Sequence, residues 1–365
     1  MKRTKIEWTD QTDNIIVPKI GGWFCRKCSP GCDHCYAEAI NQNAFFHGNM
    51  RPYEVAGSVP ELKLRTDILA SWSNQRKPRR HFVSSMTDVF GEWIPRSWIF
   101  RFLDAMASTP RQTFQVLTKR AGNMAEHVTA WLDERGADRI PLNIWLGFTA
   151  ENQMCFNARW RKIEPLVHRL GVVFVSAEPL LEAIVLPSEF LALKWRAQVI
   201  VGGESGDEAR PMHPEWVRGL QNQCDAAEVC FFFKQWGEWS PRAKICGAGT
   251  DFQSLDPQCK RWPKVIRLGE HGKDTRLCEN CTPDAGEEVY VQRVGKKAAG
   301  RILDNCTWQQ MPYAHGICRV CGCTEFEACE GGCYWIDSEQ TLCSECDPRT
   351  RTRPVAGLSG KVGAL

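Results

Sequence analysis

Between residues 80 and 236 the chain alternates short runs of β-branched and aromatic residues with longer stretches whose apolar positions recur every three or four residues. The short runs, at 81–85, 113–117, 143–147, 172–176, 198–202 and 229–233, follow one another about every thirty residues. They predict six strands alternating with helices. Strands apolar on both faces and joined by helix-length connections belong to a parallel sheet, and six such units favour a full or partial (β/α) barrel. A doubly wound open sheet is the alternative within the same α/β class. A weaker pattern predicts one further strand near residues 14–17.

Each predicted strand runs directly into polar residues. The sequences are Met86-Thr87-Asp88, Thr118-Lys119-Arg120, Phe148-Thr149-Ala150-Glu151, Ala177-Glu178-Pro179, Gly203-Glu204-Ser205 and Lys234-Gln235-Trp236. In a parallel barrel these ends share one mouth, where chemistry is normally done. Any one of them is equally a turn or a helix N-cap. After Trp239 the periodicity gives way to irregular Pro-, Gly- and Lys-rich sequence. This predicts a barrel domain over residues 1–245, a Cys-rich module with its linker over 246–346, and a flexible tail over 347–365.

Composition adds bounds. The 365 residues, 43% apolar and 24% charged, suffice for one large or two ordinary folded domains and exclude a disordered chain. A net charge of +3 gives no global argument for nucleic acid, although Arg349, Arg351, Arg353 and Lys361 make the C-terminus locally basic. The apolar stretches are too short to span a membrane, and the first residues lack a signal-peptide core, so a soluble cytoplasmic protein is expected.

Cysteine changes the picture: there are 19, with four between Cys25 and Cys35 and ten between Cys278 and Cys346. An odd number of crowded thiols in a reducing compartment points to metal rather than to disulfides. The first group reads Cys25-Arg26-Lys27-Cys28-Ser29-Pro30-Gly31-Cys32-Asp33-His34-Cys35-Tyr36. Its four cysteines would satisfy tetrahedral zinc. Within it, Cys28, Cys32 and Cys35 form C-x3-C-x2-C just before a predicted helix and the (β/α) repeat.

That arrangement resembles the radical S-adenosylmethionine (SAM) superfamily. The resemblance implies three thiolates holding a [4Fe–4S] cluster, with the fourth iron chelating SAM. More narrowly, Thr4-Lys5-Ile6-Glu7-Trp8-Thr9-Asp10, Ser29-Pro30-Gly31-Cys32-Asp33-His34-Cys35-Tyr36-Ala37-Glu38, Val201-Gly202-Gly203-Glu204-Ser205-Gly206, Phe232-Phe233-Lys234-Gln235-Trp236-Gly237 and Val294-Gly295-Lys296-Lys297-Ala298-Ala299-Gly300 resemble an uncharacterised bacteriophage and prophage family distantly related to those enzymes. In that family the spacing is C-x6-C-x2-C, which would make Cys25, Cys32 and Cys35 the ligands. Cys25 and Cys28 are therefore both carried as candidates for the third position. SAM at such a cluster is expected to be helped by groups at the strand ends, Thr149, Glu151, Glu178, Gly202, Gly203 and Glu204, although the similar glycine-rich SAM motif of the superfamily follows the second strand and not a late one. The resemblance also implies a host-cytoplasm setting, an external electron donor, and a substrate of which a nucleic-acid base is the first to test.

In the second group, Cys318-x2-Cys321 and Cys343-x2-Cys346 are separated by 21 residues, near the spacing of a four-thiolate zinc ribbon. Bound zinc would offset this region's shortage of aliphatic residues. Cys278, Cys281, Cys323, Cys329 and Cys333 leave room for a second site, either zinc or an auxiliary iron–sulfur cluster. Cys155, Cys224, Cys230, Cys246, Cys259 and Cys306 read as ordinary buried or partly buried thiols, and His213, between prolines at a helix start, as structural. The competing function is a non-catalytic metal-stabilised module that binds nucleic acid or a protein. A zinc enzyme is disfavoured by the lack of a His/Asp/Glu ligand cluster.

Overall fold

The computed structural model describes residues 4, 6–43, 52–53, 58–241, 265–268, 289–312, 318, 323, 329, 332–336 and 342–347. Strand β1 (Gln11–Asp13) precedes a small antiparallel pair, β2 (Ile16–Pro18) with β3 (Leu62–Leu64). The weak run expected near 14–17 overlaps β2 at Ile16 and Val17, which pair with β3 and not with the main sheet. The six stronger runs are β4 (Arg80–Val83), β5 (Thr113–Thr118), β6 (Ile144–Thr149), β7 (Val172–Ala177), β8 (Ala197–Gly202) and β9 (Cys230–Gln235).

These six and β1 form one seven-stranded sheet in the order β1-β4-β5-β6-β7-β8-β9, with every pair parallel. Neighbours in space succeed one another in sequence and the order never reverses, which excludes the doubly wound alternative. The fold is a mixed α/β half-barrel. Its strands β6, β7 and β8 are buried along their whole length, as an all-parallel sheet requires.

Two apolar layers hold the sheet. On one face, the helices Arg96–Ala107, Ala121–Glu134, Gln153–Ile163 and Pro214–Ala226 bury alternate strand residues such as Val116, Leu146, Val175 and Val201. On the other, Phe82, Trp145, Phe174, Ile200 and Phe232 close around Trp8 from the N-terminal segment. Its ring centroid lies 4.5 Å from that of Phe82 and 6.0 Å from that of Phe174. Trp8 therefore fills the inside of the half-barrel as side-chain layers fill a closed one.

Contacts divide the chain into two compact units, Met1–Pro312 and Tyr313–Leu365. The expected boundary near residue 245 lies within the first. Strand β10 (Trp239–Pro241) joins β11 (Val265–Leu268) and β12 (Val289–Arg293) in an antiparallel sheet ordered β10-β12-β11. The chain then returns along β9. Phe233 N donates to Trp308 O at 3.0 Å, Gln310 N to Phe231 O at 3.0 Å, and Trp236 N to Gly300 O at 3.1 Å. An edge strand leaves a row of unpaired backbone groups, and this segment covers part of that row. The texture change after Trp239 marks a long excursion from the half-barrel rather than its end. Of the expected tail, residues 348–365 lie outside the described residues. No helix among the described residues is long and apolar enough to cross a membrane.

Candidate metal and cofactor site

The first cysteine group forms a loop pinned at both ends. Trp23 N donates to Asn41 Oδ1 (2.9 Å), and Asn41 Nδ2 donates back to Trp23 O (3.1 Å), tying the loop's start to the helix Tyr36–Gln42 that follows it. Pro30–Cys32 makes one 3-10 turn, and Cys35 caps the helix. Cys25, Cys28, Cys32 and Cys35 all line one cavity of about 310 Å3.

The same cavity is walled by the strand ends. Thr87 and Asp88 after β4, Thr118 and Lys119 at β5, Thr149 at β6, Glu178 after β7, Gly203 and Glu204 after β8, and Lys234 and Gln235 at β9 all reach it. The shared mouth expected from the strand pattern is present, and the cysteine loop lies at it. Lys296 joins from the short helix Lys296–Ala299, delivered by the returning segment.

Electrostatics differ among the four thiols. A hydrogen bond from the Cys28 thiol, opposed by burial and aided by Lys119 and the Cys28 and Ser29 amides, brings Cys32 down to about 5. The shift is toward the thiolate, the form that ligates metal. Burial pushes Cys25 up to about 12, with the charges of Asp88, Cys35 and Cys32 adding to the rise. Burial also raises Cys35. Among the described residues, two sets of three or more possible ligands converge within 4.8 Å, and both belong to the C-terminal region. The N-terminal four are not drawn together as tightly as one tetrahedral zinc requires, with sulfurs about 3.8 Å apart when Zn–S is about 2.3 Å.

The expected SAM-contacting residues separate into two kinds. Thr149, Glu178, Gly203 and Glu204 line the cavity, whereas Glu151 and Gly202 are not among its lining residues. Glu151 is fully buried beneath the cysteine loop, accepting from Ser29 Oγ at 2.5 Å and pairing with Arg159 at 2.5 Å. Burial opposes its ionisation, but Lys119, Arg159 and the Ser29 hydroxyl outweigh that and hold it at about 2. A Cβ on Gly202 would sit 2.5 Å from Glu178 Oε1, so this glycine leaves room for the Glu178 carboxylate. Glu178 meets Lys234 Nζ at 2.9 Å and accepts from Ser176 Oγ at 3.1 Å.

Glu204 is held by Arg210, whose Nε donates to Oε2 (2.8 Å) and Nη2 to Oε1 (2.5 Å). The same Nη2 donates to Pro30 O at 2.8 Å, linking the glycine-rich turn to the cysteine loop. A Cβ on Gly203 would lie 2.0 Å from Trp236 O, so that turn packs backbone against backbone. Arg210 and Arg159 were not legible as site residues, because nothing in their local spacing connects them to the loop; Ser29 lies in the loop, but its partner Glu151 is 122 residues away. Several lining groups carry polar atoms with no protein partner among the described residues: Thr87 Oγ1, Gln235 Oε1, Trp8 Nε1 and Glu7 Oε2. His213 accepts from Glu215 N at 3.1 Å as a helix cap and is structural, as expected.

In the second unit the thiols themselves make the core. Cys318, Cys323, Leu342 and Cys343 are buried, with Trp335 and Ile336 packed against them. Ile336 N donates to Leu342 O and Ser344 N to Tyr334 O, so residues 334–336 and 342–344 run antiparallel. Cys323, Cys329, Cys333 and Cys343 form one converging set, and Cys318, Cys343 and Cys346 another; either can hold a metal ion. The ribbon expected on Cys318, Cys321, Cys343 and Cys346 is represented by three of its members, since Cys321 lies outside the described residues, as do Cys246, Cys259, Cys278 and Cys281. Cys323, Cys329 and Cys333, held in reserve by the spacing argument, are drawn in. Of the cysteines outside these groups, Cys155 and Cys224 are buried and Cys230 half-buried, but Cys306 is exposed.

Residues 3–312 match the family described as Protein of unknown function (DUF5131), and the chain belongs to that family. No curated protein and no solved structure matches the chain.

Proposed function

We propose that the half-barrel is a radical SAM-type enzyme, with a [4Fe–4S] cluster on Cys25, Cys32 and Cys35 at the cavity mouth. The observation that carries this reading is the position of the cysteine loop against the C-terminal ends of the parallel strands, around one cavity. The donor set suits the group: three thiols of one compact loop share the cavity, and the surroundings of Cys32 favour its thiolate. Cys25 is preferred over Cys28 on the C-x6-C-x2-C spacing of the family that the motifs resemble; both thiols line the cavity.

Cys25, Cys32 and Cys35 would hold the cluster, and the group would supply reductive cleavage of SAM for hydrogen abstraction from a substrate. The chain's own residues bind and orient. The orphaned polar atoms of Thr87, Gln235, Trp8 and Glu7 offer hydrogen bonds to a polar occupant, and leaving them unpaired is costly. Gly203 lets backbone approach without a side chain intervening. A nucleic-acid base is the favoured substrate class: Tyr36 is 48% exposed at the mouth and offers a stacking face, while exposed Lys296 offers a phosphate contact. The C-terminal thiols hold zinc in this reading, which stabilises a unit with few aliphatic residues.

The test is anaerobic reconstitution of the full chain followed by iron, sulfide and zinc analysis. About four irons per chain and release of 5′-deoxyadenosine from SAM under dithionite are expected. Colourless protein holding only zinc would end this reading. Cluster assembly without SAM binding would favour a non-catalytic nucleic-acid- or protein-binding module instead.

A further inference from the structure

The two converging thiol sets of the C-terminal unit share one residue. Cys343 belongs both to the set with Cys323, Cys329 and Cys333 and to the set with Cys318 and Cys346. We infer that this unit holds two zinc ions bridged by the Cys343 thiolate, one bound by Cys323, Cys329, Cys333 and Cys343, the other by Cys343 together with Cys318 and Cys346. The inference rests on the C-terminal zinc reading above and is independent of the chemistry proposed for the half-barrel.

The sulfur separations carry it. Cys323 Sγ lies 3.5 Å from Cys333 Sγ, and Cys329 Sγ lies 3.9 Å from Cys343 Sγ. These bracket the roughly 3.8 Å edge of a tetrahedron whose metal–sulfur bonds are about 2.3 Å. They are far too long for a disulfide, at about 2.05 Å. On the other side, Cys343 N donates to Cys318 Sγ at 3.5 Å, and Cys346 N to Cys343 O at 3.0 Å, which folds the turn Ser344–Cys346 back toward Cys343.

Cys343 is placed to serve both sides. It pairs with Trp335 in an isolated antiparallel bridge, immediately before that turn, and is 1% exposed. A terminal thiolate donates one lone pair to metal; a bridging one uses two, and this requires a sulfur between two ligand sets rather than at the edge of one. Sharing a thiolate also lowers the net negative charge gathered in a small, poorly solvated core, which reduces its desolvation penalty. Backbone N–H dipoles stabilise the negative charge that remains: Cys329 N donates to Cys333 Sγ at 3.3 Å and Cys343 N to Cys318 Sγ.

Native mass spectrometry of the full chain counts the zinc, read as metal lost relative to the unaltered protein so that zinc bound elsewhere cancels. Cys329→Ser and Cys346→Ser are each expected to release one zinc, and Cys343→Ser to release two. Zinc X-ray absorption of the unaltered chain should contain a zinc–zinc vector from the bridged pair, a readout that needs no variant to fold. If Cys343→Ser releases one zinc, or the zinc–zinc vector is absent, the bridge is overturned while a C-terminal zinc site stands. If Cys329→Ser, Cys343→Ser and Cys346→Ser release no zinc, or this unit carries iron, both the bridge and the zinc reading fall.

Discussion

The side chain of Glu151 occupies the space that a Cβ would need at Gly31: an atom built there lies 2.5 Å from both Glu151 Cγ and Oε1. The tip of the cysteine loop therefore rests directly on a buried carboxylate, which in turn is held by Arg159 and Ser29. Gly31 is not in the left-handed region, so its constraint comes from this contact and not from backbone torsion.

Gly31→Ala is expected to lift the loop or displace the carboxylate. Overpacking of this kind costs about 1–3 kcal/mol. Thermal unfolding should record that loss, and iron content after reconstitution should fall with it. An alanine variant with unchanged stability and full iron would show that the loop does not depend on this contact.

Cys25→Ala and Cys28→Ala separate the two ligand registers. Loss of a true cluster ligand should abolish the brown chromophore, whereas the other variant retains it. With Cys25 as ligand, Cys28→Ala keeps its iron and changes only the electrostatics of Cys32, whose ionisation it supports. The opposite pattern would assign Cys28.

Acid stability should depend on Glu151. Its folded-state value of about 2 lies below the ordinary 4.5, so its contribution is complete above pH 4.5. As pH falls the unfolded state takes up the proton first, and the contribution disappears on approach to pH 2. Glu151→Gln should lower the melting temperature at pH 7 and flatten its pH dependence between these limits. Parallel melting curves for both proteins across that window would contradict the assignment.

A second buried pair lies within the sheet, away from the cavity lining. His81 Nδ1 lies 2.6 Å from Asp13 Oδ2 and its Nε2 3.1 Å from Gln112 Oε1, while Trp72 Nε1 donates to Asp13 Oδ2 at 2.8 Å. Burial raises Asp13, but hydrogen bonds and charge from His81, with Trp72 and Gln11, bring it below the usual carboxylate range. This network joins β1 to β4 and to Gln112, the residue just before β5. Asp13→Ala should cost about 3 kcal/mol, the scale for removing one partner of a buried pair. Denaturant unfolding measures it, and a loss below about 1 kcal/mol, the scale of an exposed pair, would mean the network is dispensable.

The sequence by itself determined the six central strands, their parallel winding and the polar residues of the mouth. Strand and helix periods are written in neighbouring residues, and a parallel half-barrel puts every strand's C-terminal end on one side, so Thr149, Glu178 and Lys234 became neighbours without knowledge of any contact. The tertiary structure alone decided which of those residues face the cavity and which support it. The Ser29–Glu151 bond spans 122 residues and the Arg210–Pro30 bond 180, and no local period marks such pairs. The same holds where residues 300–310 return to β9, because an edge strand's need for backbone partners does not specify which distant segment meets it. It holds again for Cys343: spacing showed that thiols were plentiful, but only the folding of residues 332–336 against 342–347 set one sulfur between two ligand sets.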